Sequence, residues 1–172
     1  MKIFLHTLLA VLCLLDPAGV TAEESVSEAR LKAGFIANFI QFVRWPRNPV
    51  TLVLCGLGTD RSRELREELG GISARYPALV VRWVRALSAL DGCHAVFVAA
   101  EQGSELPAVL AFTAGRSVLV IADLDGGAPL GAMLSLVSVG GDRLAFDANL
   151  TAARAAGLSM NARLLQLARR VY

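Results

Sequence analysis

The stretch Glu28-Ala-Arg-Leu-Lys-Ala-Gly-Phe-Ile-Ala-Asn-Phe-Ile-Gln-Phe-Val-Arg-Trp-Pro46 constrains the fold more than any other part of the chain. Ala29, Ala33, Ile36, Ile40 and Val43 recur at helical spacing, and Phe35, Phe39 and Phe42 widen the stripe. Lys32, Asn38 and Gln41 fall on the opposite side. A stripe this wide calls for a domain to bury it. Ser25, with Glu28 three residues on, has the form of a capping box and predicts a helix start near Val26. Pro46 disfavours helical geometry at Trp45, so the helix is predicted to stop there. Arg44 then lies in the last turn, where a cation suits the helix dipole.

Upstream, Met1-Lys2 leads into an apolar run from Ile3 to Leu15, a break at Pro17, and Val20-Thr21-Ala22 ahead of Glu23-Glu24. A basic start, a short apolar core and a small-x-small ending are the parts of a secretory signal peptide. The run ends at Asp16-Pro17, short of the roughly 20 residues a membrane span needs. Cys13 follows Leu12 inside the apolar core, without the small residues that precede a lipidated cysteine. The expectation is cleavage after Ala22, leaving residues 23–172 as one exported, periplasmic domain. Part of the 55% hydrophobic content is thereby explained. Cleavage removes one basic and one acidic residue, Lys2 and Asp16, so the formal charge stays at +2. That is too small and too scattered for a nucleic-acid footprint.

Downstream, apolar runs alternate with helical patterns. Val50–Leu54, Leu79–Val84, Cys93–Ala99 and Ser117–Ala122 read as strands. Between them lie a polar helix from about Arg61 to Leu69, closed by Gly70-Gly71, and a short helix from Leu106 to Phe112. Such alternation argues for parallel strands with helices on both faces. Met133–Val139 and Arg143–Asp147, joined by Gly140-Gly141-Asp142, have hairpin chemistry. Ala148–Ala156 is helical with Gly157 as its stop. Ser159 heads a last helix with apolar positions Leu164, Leu165, Ala168 and Val171. The predicted fold is a single α/β domain. It has a mixed, mostly parallel sheet of about six strands, helices on both faces, and a C-terminal β-hairpin plus two helices.

Catalytic chemistry finds little to work with. His94 is the one histidine left after cleavage, and it adjoins Cys93 where a strand begins. Strand neighbours point to opposite faces, which does not suit a Cys-His nucleophile. Asp123 and Asp125 sit in a Gly-rich turn that favours Asp anyway. Cys55, Cys93 and His94 lack metal-ligand spacing, and Cys55-Gly-Leu-Gly58 lacks the third glycine of a dinucleotide turn. No cofactor, no metal and no enzyme activity is predicted. Cys55 and Cys93 read equally as a disulfide or as two buried thiols that never meet.

Several blocks, in order, resemble the YfiR family of periplasmic proteins. They are Lys32-Ala33, Phe35-Ile36, Asn38-Phe39, Phe42-Val43 and Trp45-Pro46; Leu54-Cys55 and Leu57-Gly58; Cys93-His94-Ala95-Val96-Phe97; and Val118-Leu119-Val120-Ile121 with Asp123. Arg143-Leu144, Phe146, Asn149-Leu150, Ala152-Ala153, Ala156-Gly157-Leu158-Ser159 and Leu164-Leu165-x-Leu167-Ala168 complete the series. The resemblance covers nearly all of the mature chain. It implies a non-enzymatic exported α/β repressor that binds the periplasmic sensor domain of a membrane-bound diguanylate cyclase, lowering cyclic di-GMP and biofilm output. It also implies an outer-membrane lipoprotein as a second partner in some systems. Cys55 and Cys93 match a family cysteine pair linked to redox-sensitive folding. A second pair carried by some members has no counterpart in 123–136, where this chain has no cysteine. A bridge meets one difficulty: Cys55 closes the first predicted strand and Cys93 opens the third. In a parallel sheet those are opposite edges, so a boundary must shift.

Partner-binding candidates are Phe42, Arg44 and Trp45, because Trp and Arg are enriched at hot spots, together with Asn149 and Arg154. Against this, Phe42 and Trp45 suit the core, Asn149 suits a helix cap and Arg154 a solvated face. A homodimer is a further partner expectation. The alternative function is a periplasmic small-molecule binder, using a crevice at the carboxyl ends of the parallel strands near Gly56–Thr59 and Asp123–Gly127.

Overall fold

A computed structural model describes residues 27–140 and 143–172. The expected signal peptide, Ser25 and the Gly141-Asp142 half of the hairpin turn lie outside the described residues.

Helix α1 spans Glu28–Phe42. Its cap is Ser27, whose hydroxyl accepts the Arg30 N–H at 3.2 Å, so the start falls two residues past the Ser25 prediction. Its end also differs. Val43 turns extended, and Val43–Arg44 form a short strand β1, so Arg44 is not in a helical turn. The carbonyl of Phe42 accepts the N–H of Asn161 at 2.9 Å, giving the released helix terminus a partner outside the helix.

The main sheet holds β2 (Leu52–Leu57), β3 (Leu79–Val84), β4 (Ala95–Val98), β5 (Leu119–Ala122), β6 (Leu134–Ser138), β7 (Leu144–Ala148) and a terminal β9 (Arg170–Val171). Their order is β3-β2-β4-β5-β6-β7-β9. The first five run parallel, β7 is antiparallel to β6, and β9 is parallel to β7. The seventh strand comes from the C-terminus. Val171, expected on a helix face, is a half-exposed strand residue. Between them lie α2 (Arg63–Arg75), α3 (Leu106–Thr113), α4 (Leu150–Ala155) and α5 (Ala162–Leu167). A second, two-stranded sheet pairs β1 with β8 (Ser159–Met160).

The sheet is covered on both faces, as predicted. Ile36, Phe39 and Ile40 of α1 pack with Leu54, Phe97, Leu119 and Ile121, joined by Leu65 and Leu69 of α2. Phe39 and Phe146 meet edge-on with centroids 4.9 Å apart. The other face gathers Cys55, Val96, Val98 and Val120 under Leu106 and Val109 of α3. Strands β4 and β5 are buried on both sides, which is why they read as unbroken apolar runs.

Three further boundaries differ from the sequence reading. Strand β2 continues through Cys55-Gly56-Leu57 instead of ending at Leu54. Gly56 pairs with Trp83, and a Cβ there would lie 2.7 Å from the Trp83 ring, so this glycine makes room for an aromatic neighbour rather than a phosphate. Helix α2 starts at Arg63 and runs through Gly70-Gly71 to Arg75, because buried Leu65 and Leu69 with Ile72 hold it to the core on either side of the glycines. Asn161, not Ser159, caps α5, its Oδ1 accepting the Arg163 N–H at 2.9 Å.

Candidate partner-binding face

The pairing of β1 with β8 matches Val43 with Met160 and Arg44 with Ser159. Two segments more than a hundred residues apart in sequence are thereby held side by side: the end of α1 and the α4–β8–α5 region. A Cβ at Gly157 would lie 3.5 Å from Pro46, so the turn after α4 also abuts the Trp-Pro corner. The ribbon is anchored inward by Val43 and Met160, which are buried, while Arg44 and Ser159 are exposed.

The five candidate contact residues occupy different situations. Trp45 is buried, 6% exposed, and its indole N–H donates to the carbonyl of His94 at 3.0 Å. Phe42 is half-buried and packs against the core, whereas Arg44 is exposed. Asn149 caps α4, its Oδ1 accepting the Ala152 N–H at 2.8 Å, and its Nδ2 donates to the Ala128 carbonyl at 2.8 Å. Arg154 is exposed at the rim of an open cleft of about 370 Å³, walled by Leu150, Leu158, Met160 and Leu165.

Cys55 and Cys93 are joined, with Cα atoms 5.9 Å apart. The shifted boundaries make this reachable. Extension of β2 places Cys55 mid-strand, and β4 begins only at Ala95, leaving Cys93 in the approach turn with its N–H on the Leu90 carbonyl. Arg82, opposite Cys55 on β3, places its Nη2 3.5 Å and 3.6 Å from the two sulfurs and 3.2 Å from the Asp91 carbonyl. His94 works as a pin beside the bridge. Its Nδ1 accepts the Val53 N–H at 3.1 Å and its carbonyl accepts both the Trp45 indole and the Leu119 N–H.

A polar crevice of about 210 Å³ opens at the carboxyl ends of β2, β4 and β5, where the sheet order reverses. Lys32 stands in it, its Nζ 2.6 Å from both Glu28 and Asp123. Burial works against the ammonium of Lys32, but hydrogen bonds to Asp123 and Glu28 outweigh it and hold the lysine above its ordinary range. Burial, aided by the like charges of Glu28 and Glu101, lifts Asp123 above the usual carboxylate range against the pull of Lys32. Glu101 accepts from the Thr59 N–H and hydroxyl at 3.1 Å each and from the Ser62 hydroxyl. Burial pushes Glu101 upward, yet these donors more than offset it and leave the carboxyl below its ordinary value. Asp125 turns away to Arg169, which grips the buried Asp147 with two hydrogen bonds of 2.9 and 2.7 Å. Asp123 and Asp125 therefore belong to different ion pairs. Lys32 stands four residues after Glu28, a helical spacing legible in the sequence, but its partner after β5 carries no local signal. Among the described residues, no group of three or more His, Cys, Asp or Glu side chains is placed to hold a metal ion.

A mostly parallel sheet with helices packed on both faces makes this a three-layer α/β domain. The chain belongs to the YfiR/HmsC-like family, whose model matches residues 29–169. YfiR-like proteins are periplasmic regulators associated with membrane diguanylate cyclases. Among solved structures, the chain is similar to a conserved domain protein from Vibrio cholerae O1 biovar eltor. Identity is 14% and the TM-score 0.64, over 86% of this chain and 61% of that one. It is also similar to the ABC domain from Streptococcus pneumoniae solved in complex with L-Trp. There identity is 13% and the TM-score 0.64, over 84% of this chain and 60% of that one. These likenesses are of fold. This chain spans about three fifths of the length of each.

Proposed function

We propose that the protein is an exported repressor that binds the periplasmic sensor domain of a membrane-bound diguanylate cyclase and holds the enzyme inactive, lowering cyclic di-GMP and biofilm output. The reading rests on family membership over residues 29–169. A stoichiometric repressor acts through its greater affinity for the inactive state of its partner, so it needs a surface and not a reaction centre. The ribbon face is the surface in question, with Phe42, Arg44, Asn149 and Arg154 around it and Trp45 supporting it from the core side. An outer-membrane lipoprotein that competes for this face, or self-association through it, would set how much repressor is free. The test is titration calorimetry with the periplasmic domain of a cyclase encoded beside this gene, alongside cellular cyclic di-GMP with and without the repressor. Micromolar or tighter binding and a rise in cyclic di-GMP on deletion are expected; no heat of binding at micromolar concentrations refutes the reading.

A second reading is a periplasmic small-molecule binder, favoured by the crevice of about 210 Å³ at the sheet's switch point. Lys32, Asp123 and Glu101 already have protein partners there, so a ligand reaching them would have to displace the Lys32–Asp123 pair. A thermal-shift screen with amino acids and nucleotides checks it, and a flat melting temperature across the screen removes it.

A further inference from the structure

Charge is distributed unevenly over the fold. Residues 43–50 and 149–172 together contain six arginines, Arg44, Arg47, Arg154, Arg163, Arg169 and Arg170, and no Asp or Glu. Of 17 basic and 15 acidic residues in the chain, 11 basic and 15 acidic remain elsewhere, a net of −4 against +6. The β1–β8 ribbon is what brings these two segments together, pairing Arg44 with Ser159 and setting the turn after α4 against Pro46. Arg169 is occupied by Asp147 and Asp125. Arg44, Arg47, Arg154 and Arg163 are exposed, and none of them forms a salt bridge among the described residues.

Unpaired guanidiniums hold hydration water and repel one another, so two adjoining segments that carry four of them and no carboxylate of their own make a surface that opposite charge would complete. Beside Arg154 lies the open cleft whose walls are Leu150, Met160 and Leu165. A concave cleft with leucine and methionine on its walls and an arginine at its rim receives a protruding side chain flanked by carboxylates, which a protein surface presents and a lipid headgroup layer does not. We infer that the ribbon face docks an acidic patch on a folded partner, with Arg44, Arg47, Arg154 and Arg163 pairing with its carboxylates around an apolar residue seated in the α4–β8–α5 cleft. This deepens the repressor reading and rests on it: the sensor domain of the cyclase is the partner whose contact surface should be acidic.

The experiment is binding of the full mature protein to the neighbouring cyclase's periplasmic domain, at about 50 and 500 mM salt. The proteins compared are wild type, Arg44→Glu/Arg154→Glu, and Arg63→Glu as a control. Arg63 is exposed on α2 and pairs with Glu67, away from the ribbon. Expected are a loss of about tenfold in affinity at the higher salt, a loss of at least about tenfold in the double variant, and no change in the control. Circular dichroism melts of the variants, all at exposed positions, verify that each is folded. Wild-type binding that is insensitive to salt and to the double substitution overturns the charge assignment while leaving the repressor reading standing. Absence of wild-type binding sinks the repressor reading. In that event, vesicles containing anionic phosphatidylglycerol are tested, and charge-dependent binding to them overturns the protein-partner assignment in favour of a membrane surface. Binding to neither overturns the inference as a whole.

Discussion

Reduction of the Cys55–Cys93 bond offers the most direct measure of what holds this domain together. The two residues are 38 apart in sequence. Closing a loop of that length in the unfolded chain removes conformational entropy equivalent to about 4 kcal/mol at 25 °C, which is the stabilisation the bond confers in the chain-entropy account. Domains of this size are stable by only about 5–15 kcal/mol, so losing the bond removes a large fraction of the total. It corresponds to roughly 10 °C in melting temperature. Urea unfolding monitored by the fluorescence of Trp45 and Trp83, run on oxidised protein and on protein reduced with a dithiol, measures the difference. The Cys55→Ala/Cys93→Ala variant should fall slightly lower still, since Cys55 is fully buried and truncation adds a small cavity. Oxidised and reduced proteins differing by less than about 1 kcal/mol would refute the loop-entropy reasoning, and with it the idea that oxidising surroundings set how much of the protein is folded.

Glu101→Gln tests the crevice through pH. The carboxyl of Glu101 is held below its unfolded value, so its contribution is present above that value and is lost as pH falls through the folded one. The melting-temperature gap between wild type and variant should be full near neutrality and close below about pH 4; a gap unchanged at pH 3 would count against the assignment. Trp45→Phe removes the hydrogen bond to the His94 carbonyl and part of a buried ring, for a loss of roughly 2–3 kcal/mol by urea titration. Partner affinity should be unchanged, since the indole lies inside, and a large affinity loss in a folded variant would place Trp45 on the interface. Gly56→Ala should cost about 1–3 kcal/mol against the Trp83 ring. Combining it with Trp83→Val should recover part of that cost, and strict additivity would contradict the steric account.

Where the chain could be read in advance and where it could not follows from the range of the forces concerned. Leu79–Val84 is a strand with the predicted limits, its apolar run bounded by Tyr76-Pro77 on one side and by Arg85, where the chain bends into a short 3-10 helix at Leu87–Leu90, on the other. The wide stripe of α1 declared its burial, and the hairpin of β6 with β7 followed from glycine-rich turn chemistry. The errors cluster where tertiary contacts override a local signal. Cys55-Gly56-Leu57 reads as a loop because glycine weakens strands, yet Trp83 on the adjoining edge strand β3 requires that absence of a side chain. Gly70-Gly71 looked like a stop, yet Leu65, Leu69 and Ile72 draw the helix across it. The candidate contact residues were recognisable by type, but their division into a buried Trp45, a capping Asn149 and exposed Arg44 and Arg154 depends on packing between segments. The Lys32–Asp123 and Asp147–Arg169 pairs span 91 and 22 residues, and no local pattern announces either.

The β1–β8 ribbon shows most plainly why the face cannot be reduced to a sequence motif. Each strand is two residues long, and an isolated pair of that size is unstable in water. It persists here because Val43 and Met160 are buried and because Asn161 donates to the Phe42 carbonyl, an acceptor exposed only when α1 stops early. Recognition should therefore require the folded domain. A synthetic peptide covering residues 28–48 contains the end of α1, Arg44 and Arg47 but lacks β8, Arg154 and the cleft. A helix of 15 residues is marginal in water on its own, so the peptide also lacks the geometry that aims Arg44 outward. In competition against the whole protein for the cyclase domain, such a peptide should remain without effect at a hundredfold excess over the dissociation constant of the whole protein. Displacement near that constant would mean that recognition is carried by the linear segment, and that the joining of the two halves by the ribbon serves the fold alone.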